Sequence, residues 1–269
     1  MFLQKCASIG SMNTENSTNL KKILKKLPSK TVMTSKWLSQ QGVNHDLQKA
    51  YERNGWIKRV GRGAYTKLDE EFDMDGAIYA LQTQLGLSIH LGAMTVLNDK
   101  HGIMQNIPYW RQVVLFGVRG EKIPTWFDKC FKDKYRLILT NFLPSDIGMM
   151  PYDNGNFITQ IPTLERALLE VMYLLPGGAG LDEAHQILEM MTTLRPKKLQ
   201  ELLENCTSIK TKTIFFHMAV NDKMPWVKEL NFSKIDLGSV YKDITEKDIV
   251  EYRYRKMILG LGEKSNDNL

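Results

Sequence analysis

In NLKKILKKL (residues 19–27), Leu20, Ile23, Leu24 and Leu27 recur at helical spacing with lysines on the opposite side, which predicts a short amphipathic helix. Pro28 ends it, because its ring cannot continue a helix. TVMTSKWLSQQGV then reads as a short extended piece followed by a brief helix through Trp37, Leu38 and Gln41. Thr34 or Ser35 caps that helix and Gly42 closes it. Asn44 caps a second helix, HDLQKAYERNG, whose buried face is Leu47, Ala50 and Tyr51 and whose end is Gly55. WIKRV and AYTKL alternate as strands around Gly61-Arg62-Gly63, with Trp56 and Tyr65 on the packing face of the hairpin. Helix, helix–turn–helix, hairpin is the order of a winged helix-turn-helix.

The rest of the chain mixes both periods. Helical spacing marks 75–86 through Ile78, Leu81 and Leu85, and a further helix around 91–100. RQVVLFGV (111–118), YRLILTNF (135–142) and NFITQIP (156–162) read as strands. TLERALLEVMYLLP is a strong amphipathic helix, LDEAHQILEMM and PKKLQELLENC are two more, and KTKTIFFHMAV (210–220) reads as either strand or helix. A basic terminal helix near 246–258 is capped by Thr245. The predicted class is α+β: a winged helix-turn-helix over 13–70, followed by a larger mixed α/β C-terminal domain over 71–269.

Charge sharpens this division. The chain carries +6, yet residues 12–69 alone hold twelve cations against four carboxylates, or +8. Lys5 adds one more, which leaves residues 70–269 at −3. Basicity confined to the helix-turn-helix end points to a nucleic-acid partner there and a near-neutral body. Hydrophobic residues at 43% allow a sizeable core, and no apolar run approaches the ~20 residues of a membrane span. The start of the chain lacks the apolar stretch of a secretory signal, and Met12 is a plausible alternative first residue. Cys6, Cys130 and Cys206 are odd in number and far apart, which argues for a reducing cytoplasmic setting rather than a disulfide framework or zinc site.

A helix fits the major groove of duplex DNA, where Gln and Arg pair with base edges and cations meet phosphates. Burying Leu47, Ala50 and Tyr51 turns His45, Gln48, Lys49, Glu52 and Arg53 outward, and the wing adds Lys58, Arg59 and Arg62. The DNA-binding set is therefore His45, Gln48, Lys49, Arg53, Lys58, Arg59 and Arg62. The competing reading is a solvated basic hairpin on a module that docks on an acidic protein.

Catalytic signals are weak. PGGAG (176–180) follows a helix and lacks the Gly-Lys-Ser/Thr ending of a phosphate loop, so it reads as a helix break, and GVRGEK (117–122) reads as a strand-end turn. The five histidines, at 45, 90, 101, 185 and 217, show no metal-ligand spacing. Asp69, Glu70, Glu71, Asp73 and Asp75 form an acidic cluster that reads as a solvated linker ahead of a metal site. The residues thus predict no catalytic set, no metal and no cofactor. A nucleic-acid enzyme is a third reading, disfavoured for want of an acid–base or metal set.

Trp37-Leu38-x-x-x-Gly42-Val43, Tyr51-x-x-x-Gly55-Trp56-Ile57 and the Gly61-x-Gly63-x-Tyr65 wing resemble the N-terminal domain of the AbiE-type (AbiEi-like) antitoxins of type IV toxin–antitoxin, or abortive-infection, systems. IPTLERALLEVMYLLP (161–176) resembles the E-R-A-L-L helix of their C-terminal domain. The resemblance implies an antitoxin and transcriptional repressor that binds double-stranded operator DNA of its own operon. It also implies a C-terminal domain that opposes a nucleotidyltransferase toxin without needing a stable complex with it. The matching DNA contacts would be Lys49, Arg53, Lys58, Arg59 and Arg62. A regulator without antitoxin activity, or a winged protein-interaction module, is the alternative.

Overall fold

The structure, a computed structural model, describes residues 20–103, 112–175 and 181–238. The expected terminal helix near 246–258 and the PGGAG break lie outside these residues. In chain order the elements are α1 (20–26), β1 (Met33–Thr34), α2 (Ser35–Gln40), α3 (His45–Arg53), β2 (Ile57–Gly61), β3 (Ala64–Lys67), α4 (Met74–Tyr79) and a π-helical turn (Ala80–Gln84). Next come β4 (His90–Leu91), α5 (Ala93–Asp99), β5 (Val113–Gly117), α6 (Thr125–Phe131), β6 (Tyr135–Leu139), β7 (Met149–Asp153) and β8 (Ile158–Pro162). The remainder is α7 (Leu164–Leu174), α8 (Leu181–Met190), α9 (Pro196–Asn205), α10 (Ile209–Asn221) and two short 3₁₀ turns. Helices and strands are both well represented, and an N-terminal module precedes a larger C-terminal one, so the class is α+β.

The chain forms two compact units. The first runs to Ile89 and takes in Glu121–Asp133 and Pro151–Thr159. Its core gathers Leu20, Ile23 and Leu27 of α1, Met33, Leu38, Val43, Tyr51, Ile57 and Tyr65, with Trp37, Leu47 and Trp56 packed at its margin. A three-stranded antiparallel sheet of order β1-β3-β2 closes one side. β1 is an edge strand, and Gln84 satisfies its open side: the Thr34 amide donates to Gln84 Oε1 at 2.8 Å, and Gln84 Nε2 donates to the Val32 carbonyl at 2.6 Å. A buried side-chain amide thus stands where another strand would pair. Gly76 is required nearby, since a Cβ there would fall 1.9 Å from the Lys30 carbonyl oxygen. The acidic stretch is folded into local structure. Glu70 accepts from Lys67 Nζ and the Lys30 amide, and Asp73 caps α4 by accepting from the Gly76 amide.

The second unit holds His90–Gly120, Lys134–Met150 and the chain from Gln160 onward. Its sheet has order β4-β5-β6, with β4 antiparallel and β6 parallel to β5. α7 is its centre, packed by α5, α8, α9 and α10. Every residue from Glu165 to Met172 is buried, so the amphipathic helix expected from the apolar spacing is enclosed on all sides over that stretch. α10 is likewise buried from Thr211 to Ala219. A helix hidden all round loses the apolar-to-polar period, which is why strand and helix could not be separated there by pattern.

Candidate nucleic-acid interface

The helix–turn–helix is built by local capping. Thr34 Oγ1 accepts from the Trp37 amide and starts α2, and Asn44 Oδ1 accepts from the Leu47 amide and starts α3. Between them the Val43 amide donates back to the Leu38 carbonyl at 2.9 Å, and Gly42 adopts a φ of 85° that a side chain would strain.

Gln48 departs from the sequence reading. It was expected outward on α3 as a base contact; instead it is fully buried. Its Nε2 donates to the Val43 carbonyl at 2.9 Å, and at 3.3 Å to both the Ser35 carbonyl and Ser39 Oγ. The reason is geometric. The face of α3 that meets α2 is centred between Gln48 and Tyr51, and the Val43 carbonyl, buried at the end of a tight turn, needs a donor there. Leu47 and Ala50, expected in the core, are only partly buried.

The remaining α3 candidates do face outward. His45, Lys49 and Arg53 are exposed and stand four residues apart, so they share one stripe of the helix. The wing presents Lys58, Arg59 and Arg62, all exposed. β2 and β3 pair Ile57 with Lys67, Lys58 with Thr66, Arg59 with Tyr65 and Gly61 with Ala64, with a bulge between Arg59 and Gly61. Gly63 turns the tip at a φ of 79°, and its carbonyl accepts from the Ser35 amide at 2.8 Å, tying the wing tip to the start of α2. Arg59 Nη1 approaches Glu52 Oε2 at 3.8 Å, which links the wing to α3. Among the described residues, His45, Lys49, Arg53, Lys58 and Arg62 form no ion pair.

The hairpin's other side chains are structural. Tyr65 is buried, and Trp56 packs against Tyr51 with the rings tilted and their centres 5.3 Å apart. Lys67 is withdrawn from the cationic surface, because its Nζ donates to the Leu27 carbonyl at the end of α1. Burial raises the Tyr51 phenol above its ordinary value, so it stays neutral. Lys21, Lys22, Lys25 and Lys26 on α1 remain exposed, and Lys26 reaches Gln41 at the helix–turn–helix turn.

A second polar group, buried in the other unit, includes the E-R-A-L-L residues. Arg195 Nε and Nη2 donate to the two oxygens of Glu165, each at 2.8 Å. Burial alone would raise the Glu165 carboxyl, but these bonds outweigh it and hold the group at about 2. Arg166 Nη1 donates to the Pro144 and Ile147 carbonyls, and its Nε to Glu170 at 3.0 Å. Glu170 also meets His90 Nε2 at 3.0 Å and accepts the amide of Ala93, which sits at a φ of 48°. Burial pushes the Glu170 carboxyl up, yet His90, Arg166 and the Ala93 amide bring it below its usual range. Each ionised group here is held by partners, a pattern that fixes α7 in place. Sequence reading caught the motif but not its partners, which lie up to 80 residues away.

No group of three or more His, Cys, Asp or Glu side chains able to hold a metal occurs among the described residues. His185 instead meets Asp222 at 2.9 Å, His101 meets the Pro162 carbonyl, and His217 meets Asn221. No described helix is long and apolar enough to cross a membrane.

Against known proteins, residues 16–109 match the family model described as the N-terminal domain of the transcriptional regulator AbiEi antitoxin. Residues 110–258 match the model described as transcriptional regulator, AbiEi antitoxin, type IV toxin–antitoxin system. No curated protein matches the sequence. Among solved structures, the chain is similar to the RV2827C protein from Mycobacterium tuberculosis, at 11% identity, 80% coverage of this chain, 82% of that chain and a TM-score of 0.49.

Proposed function

Because this chain belongs to the AbiEi family of transcriptional regulators and antitoxins of type IV toxin–antitoxin systems, we propose that it represses its own operon by binding double-stranded operator DNA through α3 and the wing. In this reading α3 enters the major groove and presents Lys49 and Arg53, with His45 at its leading end, to base edges and flanking phosphates. Lys58, Arg59 and Arg62 hold the wing on the backbone beside it. The observation that carries the reading is the single exposed stripe of His45, Lys49 and Arg53, continued by three exposed wing cations. Arg59 also lies 3.8 Å from Glu52 of α3, a long pair at the surface.

The larger C-terminal module, near neutral in charge, is the part that counteracts a nucleotidyltransferase toxin in the cytoplasm, without a stable complex with it. The Glu165–Arg195 and Glu170–Arg166–His90 contacts give that module a rigid centre on which a neutralising surface can be displayed.

The test is binding of the full chain to the DNA upstream of its own gene, measured by fluorescence anisotropy against a scrambled duplex at several salt concentrations. Preferential binding whose log affinity falls steeply with log salt supports the reading. Equal, salt-independent binding to both duplexes overturns it.

A further inference from the structure

The wing is backed by a helix that the sequence places sixty residues downstream. Gly61 lies outside the left-handed region, so the turn does not demand a glycine there. What demands it is α6: a Cβ on Gly61 would stand 2.8 Å from Trp126 Cβ and 3.1 Å from Trp126 Cα. Backbone therefore packs directly on backbone, one residue from Arg62 at the tip. The bulge between Arg59 and Gly61 turns the strand so that Val60 and Gly61 are half-covered while Lys58 and Arg59 stay open.

α6 is itself pinned along its length. Ahead of it, Glu121 accepts from both the amide and hydroxyl of Ser88, at 2.7 and 2.9 Å. At its end Phe131 meets Phe72 edge to face with ring centres 6.0 Å apart, and Trp126 and Phe127 are buried between. β3 is paired to β1 and the Gly63 carbonyl accepts from the Ser35 amide, but β2 is the outer strand of the sheet, and its tip at Gly61 is backed by α6.

We infer that Trp126 is a positioning residue for DNA binding: its buried ring seats α6, whose chain at this position abuts Gly61 and so sets the angle of the wing and hence the reach of Arg62. This rests on the reading that the wing contacts DNA, and it assigns to the segment 121–133 a part in that contact without touching the nucleic acid.

The test is a double-mutant cycle in the full-length protein, with binding to the upstream duplex as one readout and hydrogen exchange of the hairpin amides, 57–67, as the other. Trp126→Ala should weaken binding about as much as Arg62→Ala does. Adding Arg62→Ala to it should then change little, whereas adding Lys49→Ala should keep its full effect. Trp126→Phe should restore most of the binding. Hairpin amides should exchange faster in Trp126→Ala while those of α3 do not. Gly61→Ala, which forces the strand off α6, should reproduce both results and covers the case in which Trp126→Ala fails to fold. An Arg62→Ala effect that is the same with and without Trp126, or hairpin exchange unaltered by both Trp126→Ala and Gly61→Ala, overturns the inference. If neither Arg62→Ala nor Lys49→Ala alters binding, the DNA reading fails, and the exchange result still decides whether α6 positions the wing.

Discussion

The side-chain amide of Gln48 donates to the Val43 carbonyl at 2.9 Å, across the turn that joins α2 to α3. The bond converts a residue type suited to reading adenine into a clasp for the helix–turn–helix. Gln48→Ala should therefore lower stability by about 1–3 kcal/mol, because it strands buried carbonyls that had a donor. Part of that loss is offset, since Gln48 Oε1 is itself buried without a partner. The ratio of operator to random-duplex affinity should stay unchanged. Chemical denaturation beside a binding titration checks both statements; a lost ratio with intact stability would contradict them.

That residue also marks where sequence reading stops. Caps at Thr34 and Asn44, the stop at Pro28 and the turns at Gly42 and Gly55 were legible because each is a local choice between a few backbone states. The exposed set His45, Lys49, Arg53, Lys58, Arg59 and Arg62 was legible because cations avoid burial. Gln48 was not, since a neutral amide is at home on either face and only the partner helix decides. Gln84 on the open edge of β1, Trp126 behind Gly61 and Arg195 on Glu165 were equally hidden, because each acts on residues 30 to 65 positions away. The strands at His90–Leu91 and Met149–Asp153 were missed as well. The first is two residues long, and the second carries Pro151, which argues against a strand.

The exposed cations should divide by role. Arg62→Ala removes a tip charge, so it should weaken binding to all duplexes alike and reduce the slope of log affinity against log salt by about 1. Arg53→Ala and Lys49→Ala should narrow the gap between operator and random DNA instead, by about 1–3 kcal/mol for whichever pairs with a base. Anisotropy titrations at four salt concentrations separate the two effects. Identical behaviour of all three variants would mean that α3 does not read the groove.

Glu165 makes stability depend on acid pH. Its carboxyl is held at about 2 in the folded protein against an ordinary value near 4.5, so the pair contributes fully above the unfolded value. That contribution drains away as pH falls from 4.5 toward 2, and Glu170, also lowered, acts in the same direction. The shift is worth at most about 3 kcal/mol, and less in practice because the Arg195 side chain is 53% exposed. Glu165→Gln should lower stability at neutral pH and flatten the acid limb of a stability–pH profile. Arg195→Ala should cost more at neutral pH, since it leaves a buried carboxylate without its cation. Thermal melts from pH 2 to 7 check the order of the three proteins.

Repression and toxin protection should separate by mutation. Lys58, Arg59 and Arg62 are exposed, and the one ion pair among them, Arg59 with Glu52, is long and near the surface. Replacing all three with alanine should therefore cost little stability, about 0.5 kcal/mol or less per site. It removes three positive charges from a surface whose proposed partner is a polyanion, so repression of the operon promoter should be lost. None of the three contributes to the Glu165–Arg195 contact or to the buried Glu170–Arg166–His90 contacts around which the other unit is built. Growth rescue during toxin expression should accordingly persist in the triple variant. A promoter reporter and a rescue assay, run on the same strains beside a thermal melt of the purified protein, decide the matter. If the variant melts like the parent yet loses rescue together with repression, the wing takes part in neutralisation directly, and the C-terminal module alone does not carry it.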